Sequence, residues 1–271
     1  STTLFWFIKE LNRKNAVLIS FGKAIATENG QKITRMGLDP QKVKSKTVHS
    51  IGYSMLAQNM DKKPNMDAEK YRILVREYVK TLNLDRGLEL EARSDLYNLV
   101  NLIRVSHTDP NNEEDVIELM RHHDISPGEY TKGAGPIIEH GIQIAEKTGI
   151  IDYTDMIYLP WVFDFKTYQS QWVLVDEAQD ISEAQRWIAK QCILSYGGRS
   201  LWVGDENQAI FGFAGADADS FARIKADLNT VDLPLSICYR CPVEHVKLAQ
   251  TIVPQIEWRE GAPDGIIDDV D

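Results

Sequence analysis

The sequence predicts an α/β protein, a parallel sheet interrupted by a helical insertion. Three observations carry this reading. Residues 16–20 and 172–175 are short apolar runs without polar alternation, the pattern of strands buried on both faces. Helical segments follow such runs, as right-handed β-α-β crossovers require. Residues 53–150 then read as helix after helix.

Length and composition bound the class. A chain of 271 residues, 43% hydrophobic and 26% charged, suits a globular protein of about two domains. It has no run of 18 apolar residues, so no membrane span is expected. Cys192, Cys238 and Cys241 make no disulfide framework, which fits a reducing compartment; the CxxC pair has no second ligand pair near it for zinc. The formal net charge of −10 argues against a broadly basic nucleic-acid surface. It leaves room for a local groove that grips a single strand by stacking and a few cations.

Taken in order, residues 2–13 predict a helix with Leu4, Phe7, Ile8 and Leu11 on one face. Residues 16–20 predict a strand with Phe21 and Lys23 at its carboxyl end, and 43–48 a second with Thr47, His49 and Ser50 there. Residues 68–82, 88–105, 113–122 and 137–148 predict helices, the third capped from the turn Asp109-Pro110-Asn111-Asn112 and the last stopped by Gly149. The aromatics within 161–165 are expected to pack beneath the acidic segment that follows residue 175. Helices are expected at 181–194, 218–228 and 245–252, and strands at 200–203 and 231–237.

The chemistry-bearing stretch runs from Trp172 to Asp217. A buried strand ends in Asp176 and Glu177, and in open α/β sheets ligands bind beyond the carboxyl ends of strands. Acids in the first turn of a helix would read the same way for purely structural reasons. The second half weighs against that. Asp205 and Gln208 follow another strand end, and Phe211 and Phe213 flank a glycine in a loop of small residues, where aromatics suit base stacking better than a core.

Val-Asp-Glu-Ala-Gln-Asp, then Val-Gly-Asp-Glu-Asn-Gln-Ala-Ile-Phe-Gly-Phe-Ala-Gly-Ala-Asp, then Cys-Tyr-Arg resembles motifs II, III and IV of the UvrD/Rep helicases of superfamily 1. Segment 20–26 resembles motif Ia and segment 46–50 motif Ib; the Phe-x-Lys-Ala-Ile-Ala form, with residues 155–160, is most similar to the F-box DNA helicase branch. The resemblance implies a RecA-like P-loop NTPase domain made of residues 1–52 and 151–240, a helical subdomain of 53–150, and the start of a second RecA-like domain at 241–271.

It also implies ATP and Mg²⁺ as cofactors. Asp176 and Ser1 would hold the metal; Ser1 and Thr2, directly after a Gly-Lys not in the chain, would close the P-loop. Glu177 would activate water, Gln208 sense the γ-phosphate, Arg240 act as an arginine finger, and Asp205 and Tyr239 bind nucleotide. Phe21, Lys23, Thr47, His49, Phe211 and Phe213 would meet DNA, although the family often carries Trp where Phe213 stands and Arg where Ala214 stands. The implied activity is an ATP-dependent helicase on single-stranded DNA and duplex junctions, running 3′→5′ in repair, recombination or replication, with protein partners on the helical insertion. Its place would be cytoplasmic and nucleoid-associated in a bacterium or phage, nuclear in a eukaryote. The rival readings are a nucleotide-gated repair scaffold that does not unwind, and a subunit of a helicase-nuclease complex. This chain alone is expected to bind ATP weakly and not to unwind DNA.

Overall fold

The computed structural model describes residues 2–11, 15–208 and 220–267. The chain gathers into two compact units, Ser1–Ile224 and Lys225–Asp271. In the first, α1 (Thr2–Glu10) leads to β1 (Ala16–Ser20), α2 (Lys23–Arg35), β2 (Val43–Thr47) and α3 (Val48–Asn59). Then come β3 (Asn65–Met66), α4 (Lys70–Thr81), α5 (Arg86–Ser106), α6 (Glu113–His122), α7 (Ala134–Thr148), β4 (Ile150–Ile151) and α8 (Asp155–Val162). The unit closes with β5 (Trp172–Val175), α9 (Glu183–Gln191), β6 (Arg199–Trp202) and α10 (Ser220–Leu228), the last running past its boundary.

The main sheet has the order β2-β1-β5-β6, every pairing parallel. The absence of polar alternation in β1 has a direct cause: all five of its residues are buried. Ala16 and Leu18 face one way, joining Val43, Leu174, the apolar residues Leu4, Phe5 and Ile8 of α1, and Leu11 just beyond it in one core. The intervening Val17 and Ile19, with Val173 and Val175, are buried too. Both faces of the two central strands are therefore covered.

The insertion packs Tyr71, Leu74, Val75, Val79, Leu96, Leu99, Val100, Ile103, Ile137 and Ile138 of α4, α5 and α7 into a core that also takes in Ile151 and, from α8, Tyr158 and Leu159. Its helix limits follow the capping chemistry. Asn112 accepts from the backbone N–H groups of Glu114 and Asp115, and Gly149 takes φ 78° to end α7. A two-residue parallel ladder, β3 with β4, sits among these helices.

A fully buried ionic knot fixes the chain where it returns from the insertion. The Arg104 guanidinium donates to Asp152 at 2.8 and 3.0 Å and to Asp155 at 3.1 Å, and it lies 3.6 Å from the centre of the Tyr71 ring. Lys70 reaches the other Asp155 oxygen at 2.6 Å. Burial pushes the Asp155 carboxyl up, while Arg104 and Lys70 pull it back.

Three sequence expectations change. Thr47 ends β2 and α3 begins at once, a helix the sequence reading left out; a reciprocal Thr47–Ser50 capping box starts it. Phe163 and Phe165 pack against the insertion core, and Trp161 stacks on His107 at 4.2 Å, so these aromatics do not sit beneath the acidic segment. Residues 231–236 form no strand; only β7 (Ile237–Cys238) does, paired with β8 (Glu257–Trp258) after α11 (Val243–Ala249). Val231, Leu233 and Leu235 are 82%, 74% and 70% exposed. An alternating pattern becomes a strand only where a neighbour completes its hydrogen bonds, and Pro234 has no N–H to offer.

Candidate functional site

Parallel strands all end at one edge, so β1, β2, β5 and β6 bring their following loops together there. The loops after β5 and β6 are laced by backbone bonds. Val203 N–H donates to Val175 O at 2.9 Å, and Ala178 N–H donates to Val203 O at 2.9 Å.

Asp176 and Glu177 part at this edge. Glu177 has φ 53°, in the left-handed region that non-glycine residues seldom enter. The tight turn leaves Asp176 buried and Glu177 exposed. Burial raises the Asp176 carboxyl, and the adjacent Glu177 charge pushes it the same way. Asp180, close by, is raised by burial and again by Glu177. Among the described residues no group of three or more His, Cys, Asp or Glu side chains is placed to hold a metal by itself; a cation on Asp176 would take its other oxygens from phosphate and water, the manner in which Mg²⁺ is commonly bound.

Glu177, Asp205 and Gln208, picked from separate stretches of sequence, come together through a residue the sequence reading passed over. Gln179 is buried, 3% exposed. Its Nε2 donates to Glu177 Oε2 at 2.8 Å, and its Oε1 accepts from Asp205 N–H at 3.1 Å. Asp205 continues the chain, its carboxylate accepting from Gln208 Nε2 at 2.7 Å and from Asn207 N–H at 3.0 Å. Gly204 leaves the space: a Cβ there would collide with Gln179 Oε1. The available signal was a long carboxamide set between Ala178 and Asp180, in a loop already known to follow a buried strand.

The residues of this edge fall inside the part of the chain that matches a known family. Residues 4–229 match the UvrD/REP helicase N-terminal domain. The chain belongs to this family. It is 28% identical over 117 residues to an ATP-dependent DNA helicase Rep of Buchnera aphidicola subsp. Baizongia pistaciae, which covers 40% of this chain and 17% of that protein. It is 26% identical over 125 residues to a DNA helicase II of Haemophilus influenzae, which covers 43% of this chain and 17% of that one. The matched region thus spans about a sixth of each relative.

The other motif positions of the UvrD/REP chain are more scattered. Phe21 is half-buried and Lys23 exposed, where β1 gives way to α2. The Thr47 hydroxyl accepts from Ser50 N–H at 3.1 Å and so serves as the helix cap. His49 stacks on Tyr153 at 3.9 Å, and burial lowers its pKa to about 4. At neutral pH it is an uncharged imidazole, able to donate a hydrogen bond but carrying no cation for a phosphate. Tyr239 and Arg240 are exposed in the second unit, directly after β7. Thr2 opens α1, its side chain outside the described residues, as are Ser1, Phe211 and Phe213. Among the described residues, no helix is long and apolar enough to cross a membrane.

Proposed function

We propose that the protein carrying this chain is an ATP-driven DNA helicase that moves along single-stranded DNA in the 3′→5′ direction. One observation carries the reading: Glu177, Asp205 and Gln208 are joined in one hydrogen-bonded edge beside the buried Asp176. Phosphoryl transfer to water requires positioning and charge neutralisation more than covalent chemistry, and this edge offers both.

Asp176 would hold Mg²⁺ with Ser1, and Ser1 and Thr2 would face the phosphates. The metal, when bound, neutralises charge on the phosphate oxygens. Glu177, exposed beside Asp176, would orient the attacking water and take its proton. Gln208, held by Asp205, would read the γ-phosphate. The parts of Tyr239, stacking on adenine, and Arg240, meeting the phosphates, rest on the motif alone. Phe21, Lys23, Thr47, His49, Phe211 and Phe213 form the proposed DNA set, with His49 acting as a neutral donor. Residues 53–150 are read as a helical subdomain and a surface for protein partners; the packing of α4, α5 and α7 on one another supports the helical part of that reading, although their core also takes in Tyr158 and Leu159 of α8. Residues 241–271 are read as the start of a second RecA-like domain. The bacterial relatives support a cytoplasmic place.

The test is Glu177→Gln in the full-length protein. Nucleotide binding should persist, while single-strand-stimulated ATP hydrolysis falls roughly 10²–10⁴-fold, the usual worth of a positioned general base. Hydrolysis at the wild-type rate, or a folded variant that no longer binds ATP, would remove Glu177 from this role.

A further inference from the structure

The amide of Gln179 does more than fill a gap, because its orientation is forced. A backbone N–H can only donate, so the side-chain atom 3.1 Å from Asp205 N must be Oε1. Nε2 is then turned to the acids, 2.8 Å from Glu177 Oε2 and 3.4 Å from Asp180 Oδ2. Flipping the amide would set Nε2 against a donor and Oε1 against a carboxylate, losing both bonds in a buried place. We propose that Gln179 is a positioning residue: its one amide clamps Glu177 to Asp205, and through Asp205 to Gln208, so that the loops after β5 and β6 respond to bound nucleotide as one body.

Two further features fit the clamp. Glu177 sits in the left-handed region at φ 53°, a conformation that surrounding structure must hold in place. The bond from Gln179 is the side-chain tie on its carboxylate that the structure records. On the other side, Gly204 is the one residue type that lets Oε1 reach the Asp205 amide, since any Cβ would occupy that space. Ala178, next to Gln179, is itself anchored by the Ser220 hydroxyl, which donates to its carbonyl at 2.7 Å. The amide therefore sits on a fixed base, and its ends reach two motifs.

The inference rests on the proposed ATPase, and the experiment separates their failures. Gln179→Glu keeps an acceptor for Asp205 N–H but places a carboxylate against Glu177; two carboxylates in contact do not both ionise readily. In the full-length protein its kcat should fall roughly 10–100-fold, as for supporting residues at other sites. KM for ATP should stay within about threefold, because the loss is in orientation rather than ground-state binding. The acidic limb of its kcat/KM profile should move to higher pH, which a merely structural lesion would not cause. Gln179→Met keeps the volume and removes both bonds; hydrogen exchange at the Asp205 amide should then accelerate at least tenfold while that of the β5 amides is unchanged. Wild-type kcat and pH profile in Gln179→Glu would overturn the proposal, as would unchanged Asp205 exchange in Gln179→Met. If Gln179→Met does not fold, Gly204→Ala, which displaces Oε1 from the opposite side, replaces it in the exchange measurement, and unchanged Asp205 exchange there counts equally against the clamp. A wild-type protein without ATPase activity would defeat the functional proposal, while the exchange measurement would still decide the clamp.

Discussion

The first unit holds two polar networks of opposite character. The knot of Arg104, Asp152, Asp155, Lys70 and Tyr71 is buried throughout and closed on itself, each charge answered by another. The network of Glu177, Gln179, Asp205 and Gln208 has a buried centre and exposed ends. Burying charge is costly unless every member is paired, so the knot can serve only the fold. The edge network leaves carboxylates and a carboxamide turned to solvent, where a ligand can use them. The difference teaches that charge alone does not mark a site; the proposed site rests on charge left reachable at a strand end.

The largest expected effect breaks the knot. Arg104→Met leaves Asp152 and Asp155 with Lys70 as their remaining cation, and stability should fall by about 3–5 kcal/mol, the range for losing one partner of a buried pair. Urea unfolding checks this, and a loss under about 1 kcal/mol would mean that the acids find water or protonate.

A smaller effect comes from the two stacked histidines, His49 on Tyr153 and His107 on Trp161. Burial holds His49 at about 4, and burial together with Arg186 holds His107 at about 3, against 6.5 for each when unfolded. The unfolded chain therefore binds more protons below pH 6.5, and acid favours unfolding. Stability is complete above pH 6.5 and declines as the pH falls to about 4 and below. By pH 4 each histidine should have contributed on the order of 3 kcal/mol to that decline. His49→Gln and His107→Asn should each flatten the pH dependence of the unfolding free energy by that amount. A slope unchanged in both would show that the imidazoles are protonated in the fold.

The remaining two predictions sharpen the edge. Phe213→Ala should weaken single-strand binding by roughly 1–3 kcal/mol, the worth of one stacking platform, as read by fluorescence titration at fixed salt; Phe213→Trp should hold or strengthen it. Unfolding with unaltered affinity per folded molecule would make Phe213 a core residue. Glu177→Gln should change stability by no more than about 0.5 kcal/mol, as exposed substitutions do. A loss near that of Arg104→Met would erase the distinction between the two networks.

The sequence by itself determined the sheet strands and the motif edge. β1 and β5 are apolar on both faces because both faces are covered, and that requirement is written residue by residue. Asn112 and Gly149 marked their helix ends because capping is local chemistry between neighbours. Asp176, Glu177, Asp205 and Gln208 were legible because strand ends place them, whatever the details of packing.

Only the tertiary structure decided the rest. Arg104 meets Asp152 and Asp155 across 48 and 51 residues of chain, a pairing without local periodicity. Gln179 reaches Asp205 across 26 residues, and its value lies in a direction that sequence does not encode. Phe163 and Phe165 were read correctly as packing residues but assigned to the wrong neighbour, since apolar character states that a side chain seeks cover and not which element supplies it; Trp161, expected to be core, is exposed. The strand expected at 231–237 failed for the complementary reason: alternation specifies two faces, but a strand exists only when another strand takes up its backbone bonds.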